Sequence, residues 1–135
     1  ETGGVAVAPG ERKDVAMFEH APRIAQATRG GDLVFASGCN GNLNARGEPA
    51  EGLCGDRRGQ IRQALANAEA ALGRFGVGLD NALRLDAYIR DIYFEEDFVG
   101  ELKSYFGANA PAITVVSGMP RGNAEVEISV VAGAA

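Results

Sequence analysis

The chain has no tryptophan, one histidine and two cysteines in 135 residues, and its 13 basic residues are outnumbered by 18 acidic ones. Each shortage closes a class of function. Structural zinc is held by four Cys, His or carboxylate ligands, usually with a close cysteine pair. Cys39 and Cys54 are far apart and only His20 is left to join them, so no metal site is expected. A formal charge of −5 repels a phosphate backbone, which excludes nucleic acid as the expected partner. No apolar run approaches the roughly 18 residues that cross a bilayer, and Glu1 to Gly10 lack the basic start and apolar middle of a secretory signal. Neither membrane nor export is therefore expected, and the setting read from the chain is cytoplasmic, with both thiols reduced. There is no Gly-x-Ser-x-Gly elbow and no second histidine, which removes serine–histidine nucleophilic chemistry. Gly73, Gly76 and Gly78 follow a helical pattern instead of opening one, so they are turn residues and no dinucleotide cofactor is implied.

What the chain does have is 46% hydrophobic residues over the length of one ordinary domain, enough for one continuous core. Residues 1–11, beginning Glu1-Thr2-Gly3-Gly4 without an initiating Met, read as a flexible leading segment before a domain over 12–135. Asp32 to Ser37 is a short apolar run between Gly31 and Gly38 and predicts a buried strand; Asp14 to Phe18 and Ile24 to Thr28 are weaker strand candidates. Gly38 to Gly55 has no period and predicts a long loop, a length more often functional than idle. Ile61, Leu65, Ala68, Leu72 and Phe75 recur at helical spacing after Asp56, an N-cap, and before Gly76, predicting a helix of about five turns with Arg57, Arg58 and Arg62 on its solvated face. Ala82 to Arg90 alternates as a half-buried strand, with Leu83, Leu85, Ala87 and Ile89 inward. A second helix fits Glu95 to Phe106 with Phe98, Leu102, Tyr105 and Phe106 as its stripe, and strands follow at Ile113 to Ser117 and Glu125 to Val131. The element order is that of a single-domain α/β (α+β) fold.

Several segments together resemble the reactive-intermediate deaminase family, the RidA or YjgF family. They are Gly31-Asp-Leu-Val-Phe-Ala-Ser-Gly38, Gln60-Ile-Arg-Gln-Ala-Leu-Ala-Asn67, Leu85 to Asp91, Tyr105-Phe106, Pro111-Ala112, and Met119-Pro120 followed by Val126-Glu127-Ile128. The resemblance implies a mixed six-stranded sheet with two helices packed on one face, assembled as a chorismate-mutase-like homotrimer with pockets in the clefts between subunits. It also implies hydrolysis of enamines or imines with release of ammonia, without a cofactor. Members with that activity carry an Arg after the Pro-Ala pair to hold the substrate carboxylate; here the position is Ile113. A family Tyr aligns with Ile24 and a family Asn with Val99. All three differences remove polarity from the implied substrate-binding site, pointing to a neutral or largely apolar small molecule.

Three implied site residues keep chemistry. Glu127 alternates with Val126 and Ile128, so it points away from their face; beside Ile113 and Ile24 it would be poorly solvated, which disfavours its ionised form and suits an acid or base. Its other reading is an ion pair with an arginine of a neighbouring subunit. Ser37 ends a buried strand and either binds a ligand or satisfies turn backbone. Cys39 stands at the mouth of the implied cleft, as an attacking thiolate or as packing. The expected chemistry is proton transfer or water addition at a C=N or C=C–N group (hydrolysis, tautomerisation or cyclisation), against the alternative of a non-catalytic trimer that binds a hydrophobic ligand or a partner protein.

Overall fold

Among the described residues, alternation and helical spacing resolve into six strands and two α-helices. The computed structural model describes residues 12–18 and 21–134, with side chains from Ala25 onward. Strands β1 (Arg12–Phe18), β2 (Ala21–Gly30) and β3 (Leu33–Asn40) form an antiparallel meander. Helix α1 (Arg57–Gly73) leads to β4 (Ala82–Ile89), and α2 (Glu95–Phe106) crosses to β5 (Ala112–Ser117), which lies parallel to β4. The last strand, β6 (Val126–Gly133), inserts antiparallel between β3 and β4. The order across the mixed sheet is therefore β1-β2-β3-β6-β4-β5, in a single α+β domain. The leading segment 1–11 and His20 lie outside the described residues.

One face of the sheet is covered. Val34 and Ala36 on β3, Leu85, Ala87 and Ile89 on β4, and Val126, Ile128, Val130 and Ala132 on β6 are buried against Ile61, Leu65 and Leu72 of α1 and Phe98, Leu102 and Phe106 of α2. Each large side chain removed from water in this way contributes about 1.5–3 kcal/mol. Ala64, Ala68 and Ala71, fully buried, fill the rest of the α1 contact face, their short side chains suiting close approach of a helix to a sheet.

Three local expectations change. Helix α1 is capped by Asp56, whose carboxylate accepts from Gly59 N at 2.9 Å, but it ends at Gly73 and not at Phe75: Val77 N returns to Leu72 O at 3.3 Å, and Gly76, at φ 70°, turns the chain out. Leu83 is 55% exposed because the β4–β6 register shifts between Ala82 and Arg84. Tyr105 is also half exposed, its ring edge-on to Phe106 at 5.0 Å. The α1 arginines lie on the solvated face as expected and pair with acids there: Arg58 bonds Glu101 at 2.7 Å and Asp97 at 2.8 Å, and Arg57 pairs with Asp91 at 3.0 Å while lying over the Phe94 ring. These pairs remain exposed and add little stability each.

The irregular stretch 41–56 is tied down by two buried amides of α1. Asn67 Nδ2 donates to the carbonyls of Asn40 (3.0 Å) and Leu43 (2.6 Å). Gln60 Nε2 donates to Leu53 O at 2.7 Å, and its Oε1 accepts from Glu125 N at 2.8 Å, so one side chain fixes both the loop and the entry to β6. At Gly41 a Cβ would collide with the Gln60 backbone, so the loop's close approach to α1 requires glycine there.

Candidate functional site

Alternation along β6 sends Val126 and Ile128 into the core and Glu127 to the opposite, helix-free face, where it is half buried. Cross-strand register then builds a row on that face: Asn40 of β3, Glu127 of β6, Tyr88 of β4 and Val116 of β5. Tyr88 and Val116 are 42% and 41% exposed. The β3 ladder is irregular between Ala36 and Cys39, and Gly38 falls within the irregularity. A Cβ at Gly38 would overlap the Oε1 of Glu127, so the carboxylate lies directly against the glycine backbone. Among the described residues Glu127 has no ion pair, and the Oδ1 of Asn40 is buried without a hydrogen-bond donor.

Ser37 and Cys39 flank this point. Ser37 Oγ donates to Ala25 O at 2.5 Å, tying β3 to β2, which is the backbone-satisfying role. Cys39 is buried, and its thiol donates to Ser37 O at 3.2 Å. Burial, and secondly the charge of Glu127, push that thiol up to about 12. A thiol held protonated by burial suits packing better than attack. Beside them lies a pocket of about 50 Å³ lined by Gln26, Ser37, Cys39, Asn40, Leu43 and Asn67, room for a few water-sized groups. Among the described residues no group of three or more His, Cys, Asp or Glu is placed to hold a metal.

Within one chain Glu127 and Ile113 are not neighbours; the expected cleft joining them lies between subunits. Ile113 pairs in parallel register with Leu85, whose side chain points to the helices, so Ile113 shares that face and packs against the core. Glu127 is on the other face and two strands away, about 10 Å by strand spacing. Val99 on α2 likewise packs against the core. Ile24 lies on β2 with its side chain outside the described residues. The structure thus brings Ser37, Cys39 and Glu127 together and leaves Ile113 and Val99 apart from them.

Sequence reasoning missed Gly38, Asn40 and Tyr88. The alternation of 82–90 put Tyr88 on the outer face, but its place beside Glu127 depends on the β4–β6 register, which no local signal carries. Arg90, the nearest arginine in sequence to Tyr88, donates to the carbonyls of Ala124 (2.9 Å), Pro120 (2.7 Å) and Gly122 (2.8 Å); it holds the turn before β6 and is not a free anion clamp. Arg84, on the same open face, is paired with Asp86 at 3.0 Å.

Residues 17–134 match the family profile described as Endoribonuclease L-PSP. The chain is 28% identical over 108 residues to a RutC family protein from Pyrococcus horikoshii, covering 77% of this chain and 83% of that one. Among solved structures, yeast Mmf1 superposes with a TM-score of 0.79 at 20% identity, over 93% of this chain and all of that one (100%), a likeness of fold. A member of the YjgF/YER057c/UK114 family from Mycobacterium tuberculosis gives a TM-score of 0.70 at 27% identity, over 91% of this chain and 99% of that one.

Proposed function

The chain belongs to the Endoribonuclease L-PSP family, the family of the RidA and YjgF proteins, and from that premise we propose that it is a small-molecule enzyme whose acid or base is Glu127. It acts by proton transfer or water addition at a C=N or C=C–N group of a largely apolar molecule, in a cleft between copies of a cytoplasmic homotrimer, without a cofactor. The carrying observation is Glu127 itself: a half-buried carboxylate on the open sheet face, resting on Gly38, with no ion pair among the described residues. A carboxylate maintained only for stability is normally paired.

Substrates that bear a carboxylate are poor candidates. Ile113 offers an anion nothing, Arg90 is spent on three carbonyls, and Arg84 on Asp86. Burying an unpaired carboxylate costs several kcal/mol, and each 1.4 kcal/mol is a factor of ten. The ribonuclease activity in the family's description suits this chain less well, because its charge is −5 and Arg57, Arg58 and Arg62 are engaged with acids. A non-catalytic ligand-binding trimer is the second reading, favoured by Phe35, 43% exposed on the open face in the row of Val131 and Arg84.

Ammonia release from imines and enamines generated in situ tests the proposal. Turnover is expected on neutral substrates and not on 2-aminoacrylate-type carboxylates. Glu127→Gln should lower turnover by roughly 10²–10⁴, the usual contribution of general acid–base catalysis, while the fold survives. Ligand retention without turnover in the unaltered protein would establish the second reading instead.

A further inference from the structure

Two strand irregularities meet beside β3. The β2–β3 ladder stops at Ala27 and Ala36, and β3 is irregular between Ala36 and Cys39. On the other side the β1–β2 register jumps from Ala27 to Ala25, which leaves Gln26 as the bulged residue. Ser37 Oγ still donates to Ala25 O across the gap. The pocket of about 50 Å³ lies in this split, with Leu43 and Ala45 of the following loop and Asn67 of α1 among its walls. Glu127 does not line it, although Gly38, on which that carboxylate rests, does.

Most polar side chains around the pocket are committed inside the protein. Asn67 donates to two carbonyls and accepts from Gln63 at 2.9 Å, Asn44 is tied to Arg46 and Glu48, and Ser37 has spent its hydrogen on Ala25. Gln26 is not committed. It is 8% exposed, yet among the described residues its amide makes no hydrogen bond. Its Oε1 and Nε2 are not shut off from solvent as the Oδ1 atoms of Asn40 and Asn42 are, so the little exposure it keeps includes the amide, within the pocket. A primary amide buried to this extent, with donor and acceptor both unused, carries a cost that a complementary ligand relieves. Geometry sets the complement: one edge of the amide offers a carbonyl oxygen beside an N–H, and a second primary amide meets that edge with two parallel hydrogen bonds. Ser37 Oγ, its hydrogen given away, accepts a further N–H. No charged side chain lines the pocket, so an ion there would be buried without a counter-charge. At about 10–15 Å³ for each water-sized group, the volume admits roughly four heavy atoms.

We infer that this pocket is a binding site for a small neutral primary carboxamide or urea group, recognised by the Gln26 amide with Ser37 Oγ as a further acceptor. The inference does not depend on the role of Glu127.

The test titrates the assembled protein with four planar probes of one shape, acetamide, acetone, acetate and acetamidinium, followed through the side-chain amide resonances of Gln26 in isotope-labelled protein. Acetamide should shift those resonances and saturate with a Kd of about 10 mM or tighter, within what four heavy atoms support. Acetone lacks the donors and should bind at least about fivefold more weakly, the worth of one net hydrogen bond. Acetate and acetamidinium should not saturate over the same range. This series on the unaltered protein needs no variant. In Gln26→Leu the acetamide and acetone affinities should converge to within about twofold. In Glu127→Gln the acetamide affinity should stay within about twofold of the unaltered protein, since that carboxylate does not line the pocket. Loss of acetamide binding in Glu127→Gln would place the probe on the open sheet face and overturn the inference. So would charged probes binding as well as acetamide, an acetamide preference that survives Gln26→Leu, or no saturable binding of any probe, which would leave the pocket to water.

Discussion

Alanine at position 38 separates the carboxylate's placement from the scaffold that carries it. The added Cβ would stand 2.9 Å from Cδ and 3.3 Å from Cγ of Glu127 and would overlap Oε1, so the side chain has to leave its present position. The obstacle is the end of a flexible side chain on an open sheet face, which moves by a rotamer change and not by a backbone shift. Gly38 is not among the glycines at positive φ, so alanine meets no backbone strain there. A glycine-to-alanine change at such a position returns about 0.4–1 kcal/mol through the unfolded chain, close to what an altered rotamer costs. Net stability should therefore stay within about 1 kcal/mol, a shift in Tm of roughly 5 °C or less for a chain of this size. Turnover should nevertheless fall by about 10²–10⁴, since a base displaced by an ångström or more no longer meets the proton it moves. An independent readout is available in Cys39. Carrying the Glu127 charge away removes one of the two causes that raise this thiol, so alkylation at a fixed alkaline pH should quicken modestly, while burial, the larger cause, persists. Unchanged turnover combined with faster alkylation would mean that the carboxylate has moved and was never needed, which would refute the catalytic assignment. A fall in Tm beyond about 10 °C would instead make Gly38 a structural residue.

The buried amide of Gln60 serves a loop carbonyl and the Glu125 N–H, so Gln60→Leu should cost about 2–4 kcal/mol, read as a lower denaturation midpoint. Asn67→Ala should free the 41–56 stretch with a smaller loss, seen as faster proteolysis within it, because two backbone carbonyls lose their donor. The thiol of Cys39 is raised from 9.0 to about 12, so its protonated form favours the folded state; that contribution is complete below 9.0 and disappears as pH rises towards 12. Across this window the wild type should lose up to about 4 kcal/mol more than Cys39→Ala, measured as the difference in slope of stability against pH. Light scattering should find a homotrimer, and a clean monomer of 14.0 kDa would remove the inter-subunit cleft.

Sequence patterns carried the elements well where one face is apolar. Helix α2 begins and ends where its stripe and Gly107 place it, and β4 alternates as read from Leu85 onward. Ends were harder, as α1 shows: Phe75 continues the period, but the turn built by Gly76 and Val77 stops the helix earlier. The outward direction of Glu127 followed from period-two alternation alone. Its neighbours did not, because Tyr88 and Asn40 reach it through pairings with strands remote in the chain, and Gly38 contributes by having no side chain. The state of Cys39 was equally out of reach, since its thiol is governed by burial and a cross-strand charge.

Ile113 carries the last consequence. The family resemblance makes it the apolar replacement in a pocket with Glu127, yet in one chain the two side chains occupy opposite faces with β4 between their strands. No rotamer change can bridge a sheet, so a site that uses both has to take them from different copies. The arrangement suits that division: β5 is an edge strand, open to a neighbour along one side, and Ile113 is only partly covered by its own core. The half-site of β3 and β6, with Ser37, Gly38 and Glu127, is complete in charge but open on one side. An Ile113→Arg change therefore tests assembly and specificity together. If the edge of one copy closes the half-site of another, the new guanidinium should reach the Glu127 side of the neighbouring copy and confer activity on carboxylate-bearing enamines, without a change in assembly. If Ile113 serves only its own core, the same substitution should destabilise the fold, as an unpaired charge at a partly buried position does, and leave specificity where it was.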